Sequence, residues 1–551
     1  MLDQPAAERP LGSAAMSRVR VEDADRVVPT WTDPVVRAAS TAIGGPWGRH
    51  GIVGRAYFWT PLRVCLALAL AVLALSWVEK SPCQSGEWAD NVQYTHLCYS
   101  DIIPLYYSEG LDQGKVPYAD HAVEYPVLTG WFMYGAATIS RGYDSLARAG
   151  YLPNVNPVQS YYEATVLLLV LCGLALTWAL YHLTGRRSWD TAMVALSPVL
   201  FVHAFTNWDL FVVALATGAL LAWQRRVPWL AGTLIGLGAA AKFYPVLFLW
   251  PLLLVCLRGR RMREFGATLG FAVAGWAVVN LPVWYLWPET WRQFFTLNQT
   301  RSADPDTLWN VLQYLRRTAL DVGLPDGGTP TVLNLAVVVS FGAVCLAIGW
   351  LALTARRRPR LPQLLFLVVA GFLLTNKVWS PQYSLWLVPL AVLARPSWRA
   401  LLAWQATEAL LWFPRMYWYL GTANKGLDER WFLLAVGVRD IAVVWLAVLV
   451  VRDILRPERD VVRYDGVDDP AGGPLDGAAD WATDWADDWA DDKPPEHDPN
   501  YRDGSAPAEV GARSADLVVP DPDPDPDLTE PVPPEAPSSD LTASGERRNR
   551  T

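Results

Sequence analysis

TNKVWSPQYSLWLVPL, residues 375–390, joins two apolar runs that each look long enough to enter a bilayer, and it places Lys377 between them. Lysine is rare in this chain: only six of the 46 Lys and Arg residues are Lys. A membrane helix needs about 20 mostly apolar residues, fewer when Trp and Tyr border it or a large bundle surrounds it. Working outward from this stretch, spans are expected at 61–78, 163–184, 191–206, 209–224, 229–242, 243–257, 265–287, 331–354, 362–376, 382–395, 398–414 and 431–452. The fold class is therefore an all-α polytopic membrane protein of about 12 transmembrane helices.

The chain of 551 residues is 52% hydrophobic, yet its mean hydropathy is only +0.16, so an apolar body is averaged with something very polar. Residues 461–551 hold 23 acidic and 7 basic residues, a net of −16, which leaves +8 on residues 1–460 of a chain whose total is −8. This divides the chain into a polar leader at 1–54, a membrane body at 55–455 and an acidic tail at 456–551. The leader, rich in Arg, Pro and Asp, reads as a disordered cytoplasmic segment and not as a cleavable signal. In the tail, PDPDPDPDL at 520–528 is an extended, self-repelling run. Trp481, Trp485 and Trp489 recur every four residues and would line one face of a helix, so a disordered tail and a docking helix for a cytoplasmic protein partner both stand.

Cytoplasmic loops collect Lys and Arg. With a cytoplasmic amino terminus, Arg186 and Arg187, Arg225 and Arg226, RGRRMR at 258–263, RRRPR at 356–360, and Arg395 with Arg399 all fall inside. That sorting requires 127–140 to stay at the outer interface. It puts both termini in the cytoplasm of a multi-pass cell-membrane protein. It sends outward the loop 79–126, Asn207 with Asp209, Lys242 with Tyr244, the loop 288–330, Lys377 with Gln382, and Arg415. Cys83 and Cys98 flank a polar part of the first outer loop and could pair if it faces an oxidising side.

The first outer loop, CYSDIIPLYYSEGLDQGKVPYADHAVEYPVL at 98–128, offers Asp101, Asp120, His121 and Glu124 beside Tyr125. Asp101 precedes an apolar run that can tuck against the bilayer, which suits a general base taking a proton from a sugar hydroxyl. Lys242 and Lys377 each end a span and are followed by aromatic and Pro residues, Phe-Tyr-Pro and Val-Trp-Ser-Pro-Gln-Tyr. Snorkelling explains such lysines; so does a compact charge gripping the phosphate of a lipid. Asn207 and Asp209 in HAFTNWD, 203–209, read as a helix cap or part of a pocket. Arg439 and Asp440 lie two turns into the last span, where charges are paired or functional; Glu408 and Asn280 read as packing contacts. No nucleotide, zinc or hydrolase motif occurs, and nothing outside the inner loops is basic enough for nucleic acid.

Four segments together resemble the GT-C superfamily of membrane glycosyltransferases, and within it glycosyltransferase family 87: the acidic first loop with Asp101, VPYADHAVEYPVL at 116–128, AAKFYPVLFLWPLL at 240–253 and NKVWSPQYSLWLVPL at 376–390. The resemblance covers roughly residues 55–455. It implies inverting transfer of mannose from a polyprenyl-phosphate donor, with no cofactor or metal, to a glycolipid or polysaccharide acceptor of the cell envelope. Asp101 would be the base, and Lys242, Lys377, Arg301 and Arg415 would meet the leaving phosphate; Gln382 and Tyr383 lie in the last of the four segments. Two departures stand out: the first loop has a lone Ser-Asp where many relatives have paired acids, and Tyr-Pro-Val-Leu replaces Tyr-Pro-Pro-Leu. A transporter or lipid flippase of envelope precursors is the alternative for a body with so many spans, although transporters often show two similar halves.

Overall fold

Three helices in this chain begin where a capping side-chain oxygen precedes a proline. A computed structural model describes residues 58–316, 328–463 and 468–480. The leader, residues 317–327 of the loop 288–330, and the Trp-repeat and Pro-Asp parts of the tail lie outside the described residues. Thr60 caps α1 (Pro61–Lys80) by accepting from the Arg63 amide. After the short α2 (Ile102–Ser108) and the long α3 (Val127–Arg148), Asn156 caps α4 (Pro157–Leu183) and Ser197 caps α5 (Pro198–His203) in the same way. Each cap satisfies an orphan amide, and each proline supplies a helical φ where no N–H is needed.

The chain continues as α6 (Asp209–Gln224), α7 (Pro228–Ala241), α8 (Leu249–Arg258) and α9 (Met262–Leu286). The segment between spans forms α10 (Pro288–Thr300) and α11 (Leu308–Arg316). The bundle is completed by α12 (Thr331–Thr354), α13 (Leu361–Thr375), α14 (Ser384–Ala394), α15 (Trp398–Leu420) and α16 (Glu429–Leu455). Among the described residues there is no strand, only an isolated bridge between Pro117 and His121.

Among the described residues, five helical segments are long and apolar enough to cross a membrane: Pro61–Cys83, Pro157–Leu183, Met262–Leu286, Thr331–Thr354 and Glu429–Leu455. The other expected spans differ from simple crossings. Five are apolar helices of 10–17 residues. The span 191–206 is two short pieces broken at Ser197 and Pro198, and 398–414 is part of the longer α15. The reason is visible in burial. Every residue of α14 is buried, as are most of α13, so these segments are apolar all round because protein surrounds them. Broken helices at this depth are tolerated where neighbouring protein covers them.

Helices α7 and α9 meet backbone to backbone. A Cβ on Gly232 would lie 2.2 Å from the Thr268 carbonyl oxygen, and one on Gly236 would lie 2.2 Å from that of Ala272. The four-residue spacing of small side chains permits this close approach.

Two ends of the bundle differ in chemistry. One gathers the C-termini of α1, α7 and α13 and the N-termini of α6 and α14. The other carries the arginine-rich turns, and residues 457–463 and 468–480, assigned by composition to the acidic tail, lie there in close contact with the body. Asp480 forks Arg258 at 2.6 and 2.9 Å. Asp460 forks Arg360 at 2.7 and 3.0 Å. The Trp223 indole donates to the Gly472 carbonyl, and the Asp469 carboxylate accepts from the Leu361 amide. Arg258 and Arg360 are almost fully buried, which is tolerable only because each guanidinium is paired and hydrogen-bonded.

Candidate active site

Asp101 is set by two short-range anchors to a distant turn. Its amide donates to the Thr206 carbonyl at 2.8 Å, and the preceding Ser100 hydroxyl donates to the Phe205 carbonyl at 2.7 Å. These tie the first loop to the turn 203–209. Asn207 then divides its amide between two acceptors, giving one hydrogen bond of 2.8 Å to Asp101 Oδ2 and one of 2.8 Å to the Tyr125 hydroxyl. Gln382 approaches the same Asp101 oxygen at 3.4 Å. The Cys83–Cys98 disulfide closes the loop just before Tyr99, with Cα atoms 5.7 Å apart. Burial first, and the nearby Asp101 charge second, hold the Tyr99 phenol protonated, well above its ordinary range.

Around Asp101 lies a cavity of about 720 Å³ whose lining includes Glu124, Tyr125, Lys242, Tyr244, Arg301, Gln382, Tyr383 and Arg415. Each of its three cations is anchored by its own carboxylate. Lys242 Nζ donates to Asp209 Oδ2 at 2.8 Å, Arg301 Nε to Asp304 at 2.9 Å, and Arg415 Nε to Asp306 at 2.8 Å. Asp209 in turn accepts from the Trp386 indole at 2.7 Å, and Trp386 stacks between Tyr244 and Tyr383. The Lys242 ammonium lies 4.7 Å from the Tyr383 ring centre. A paired cation is fixed in place without being left as a bare buried charge, and its remaining donors can still meet an incoming anion.

Tyr125, Pro126, Phe243 and Phe294 also line a second, apolar groove of about 440 Å³. It runs along the α7–α9 contact, with Ile235, Ala239, Ala272, Trp276 and Trp291 in its walls. Asn280 lies in the same lining and receives a hydrogen bond from the Trp291 indole at 3.1 Å.

Several residues singled out in the sequence stand elsewhere. Lys377 is not in the cavity lining: its ammonium donates to the carbonyls of Arg301 (2.7 Å) and Gln299 (3.3 Å) and to Asn334 Oδ1 (2.6 Å), and its own carbonyl accepts from the Asp304 amide. It staples the loop that presents Arg301 and Asp304. Asp120 accepts from the Val116 amide and shapes a turn, while His121 faces Glu109 at 3.3 Å. Burial pushes the Glu109 carboxyl up to about 7, aided by the Glu124 charge and opposed by the Glu124 amide that hydrogen-bonds it. His203 packs edge-on against Trp412 outside the lining. Arg439 is fully buried over the Trp379 ring, pairs with Asp440 at 2.8 Å, faces Glu408 at 3.9 Å and donates to the Asp306 carbonyl.

Sequence reasoning missed Asp304 and Asp306, the anchors of two arginines, and Trp386. Their signal was present as RSADPD at 301–306, two acids one residue apart following an arginine.

Residues 150–381 match the family model for glycosyltransferase family 87. Over that segment the chain is similar to this family. The matched part contains Asn207, Asp209, Lys242 and Arg301, whereas Asp101 lies before it and Gln382 and Arg415 after it. The enzyme is also 27% identical over 343 residues to the polyprenol-phosphate-mannose-dependent alpha-(1-2)-phosphatidylinositol mannoside mannosyltransferase of Mycobacterium tuberculosis, an alignment covering 54% of this chain and 73% of that one.

Proposed function

We propose that this glycosyltransferase moves mannose from a polyprenyl-phosphate donor to a cell-envelope acceptor at the outer face of the cell membrane, with both termini in the cytoplasm. The observation that carries the reading is the shared wall between the two cavities. A polar chamber holding Asp101 and three anchored cations shares Tyr125, Pro126, Phe243 and Phe294 with an apolar groove, the pairing of surfaces that a sugar phosphate on a long hydrocarbon requires. The name of the mycobacterial relative supports the same donor class.

In this reading the polyprenyl chain lies against Phe243, Phe294 and the α7–α9 wall, and the phosphate meets Lys242, Arg301 and Arg415. Asp101 takes the proton from the acceptor hydroxyl as its oxygen forms the new bond to the anomeric carbon. The bond from that carbon to the phosphate oxygen breaks, polyprenyl phosphate leaves with the electron pair, and the configuration inverts. Charge growing on the departing phosphate is met by cations already in position, the form of stabilisation that contributes most to such reactions. No nucleotide is consumed, since the donor is already activated.

The test is incubation of proteoliposomes holding the enzyme with polyprenyl phosphate carrying radiolabelled mannose and with extracted envelope lipids. Label in a new acceptor, together with a rise in KM when the polyprenyl chain is shortened to two isoprene units, is the expected result. Movement of intact donor across the bilayer with no transfer would replace this reading with a flippase.

A further inference from the structure

We infer that a second wall of the polar cavity, built from Tyr94, Tyr99 and Tyr419, is a shelf on which the sugar rings of an oligosaccharide acceptor stack; this rests on the transferase reading above. All three phenols line the cavity that holds Asp101, and none lines the apolar groove. Tyr94 is nearly parallel to Tyr99, with ring centres 6.3 Å apart at 17°, and to Tyr419, at 5.9 Å and 13°. The three rings form a nearly parallel stacked terrace with neighbouring centres 6.3 and 5.9 Å apart, wider than direct face-to-face contact. Aligned faces at that spacing suit consecutive sugar rings better than a single hydroxyl on a peptide.

The terrace is rigid before any ligand arrives. Tyr94 and Tyr99 flank Cys98, whose disulfide to Cys83 holds their loop. Trp88 packs on Tyr99 at 5.6 Å and donates its indole N–H to the Cys83 carbonyl. The Trp412 indole donates to the Leu97 carbonyl and ties the loop to α15, which also carries Tyr419. The Tyr419 hydroxyl receives a hydrogen bond from Arg415 at 3.3 Å. A surface held in this way loses little freedom when it binds.

The chemistry of the wall fits a saccharide. The face of a pyranose presents C–H groups, which are attracted to the negative face of an aromatic ring, while hydroxyls at its rim find phenol and guanidinium partners. Position adds to this. Tyr99 lies two residues before Asp101, and on its other side Asp101 is joined through Asn207 to Tyr125 at the mouth of the lipid groove. A terminal sugar at Tyr99 would put a hydroxyl between the base and the donor's anomeric carbon. Earlier rings would run over Tyr94 and Tyr419.

The experiment is saturation-transfer NMR on the full chain in lipid nanodiscs, in the Asp101→Asn background to stop turnover, with α-linked mannotriose as probe. Saturation of the C–H protons on more than one ring is expected. The Tyr94→Leu and Tyr419→Leu pair should weaken binding about tenfold, the factor that corresponds to about 1.4 kcal/mol. Tyr94→Phe with Tyr419→Phe should keep it, because the ring faces remain. Polyprenyl phosphate binding by the Leu pair, measured in parallel, shows that the body is folded. Mannotriose binding that ignores the Leu substitutions, or no mannotriose binding by the parent protein, overturns the shelf. If mannose transfer occurs but mannotriose does not bind, the shelf fails and the transferase stands. If donor is never consumed while mannotriose binds through the tyrosines, the transferase reading fails and takes the acceptor role with it, leaving the tyrosines as a saccharide-binding wall.

Discussion

Lys377 gives the sharpest separation between two roles that look alike in the sequence. As a ligand of the donor phosphate it would act alone; as a staple it acts through Arg301. Its ammonium is held by Arg301 O at 2.7 Å, Asn334 Oδ1 at 2.6 Å and, at 3.3 Å, Gln299 O. Hydrogen bonds to a charged group contribute about 1.5–3 kcal/mol each, so Lys377→Met, which keeps the stem and deletes the charge, should cost the loop about 3–6 kcal/mol from the two short bonds alone. A displacement of the loop by about 1 Å would carry Arg301 off its position and lower kcat/KM by about 100-fold. Arg301→Ala should cost a similar factor, since the same guanidinium is lost. The decisive comparison is the double variant, assayed by initial rates of mannose transfer in proteoliposomes at equal protein levels. If Lys377 works through Arg301, Lys377→Met with Arg301→Ala should be no slower than the worse single variant, a coupling energy of about 2.7 kcal/mol. A double variant slower by the product of the two factors, about 10,000-fold, would refute the staple and return Lys377 to the phosphate.

Other perturbations have equally definite outcomes. Gly236→Ala forces a methyl against the Ala272 carbonyl across the α7–α9 contact, and should lower stability by about 1–3 kcal/mol, read as a fall in Tm, with weaker polyprenyl phosphate binding in the adjoining groove. Glu109, with its carboxyl raised to about 7, binds its proton more tightly folded than unfolded. Stability from this group is therefore full below about pH 4.3, the unfolded value, and is lost as pH rises towards 7. Glu109→Gln should accordingly raise Tm at pH 8, leave it nearly unchanged at pH 4, and flatten the slope between; equal Tm differences at both pH values would refute this. Truncation after residue 463 removes Asp468 and Asp480 and leaves Arg258 and Arg358 buried without those partners, so it should destabilise the body by about 3–5 kcal/mol, whereas truncation after residue 492 should not.

The features that reached the sequence reader were those written locally. Long apolar runs, arginines sorted to alternate turns, and Asp101 beside its apolar run depend on near neighbours, and α1, α4, α9, α12 and α16 follow the expected spans. The helix breaks were harder, because α13 and α14 are short and apolar for a reason set by the proteins' interior and not by lipid thickness. Roles that depend on distant partners were hidden. Nothing around Lys377 reveals that the carbonyls of residues 299 and 301 will meet its ammonium, or that Asn334 will complete the set. Asp101 and Asn207 come together across 106 positions, and Arg258 finds Asp480 across 222. His121 and Asp120 looked like site residues because they sit among the family-like motifs, yet their partners, Glu109 and the Val116 amide, turn them towards shaping the loop. The tail illustrates the same limit: composition shows its charge, while the docking of 468–480 depends on a basic surface assembled from three separate turns.

The base anchors the reaction proposed for this cavity. The measurement to make is transfer of radiolabelled mannose from polyprenyl-phosphate mannose to acceptor lipids by the parent enzyme and by Asp101→Asn, at equal protein levels and with polyprenyl phosphate binding checked in both. Transfer by the parent and a fall of about 100- to 10,000-fold in the variant, with donor-lipid binding retained, is the expected result for loss of a general base. Equal transfer by both proteins would contradict it.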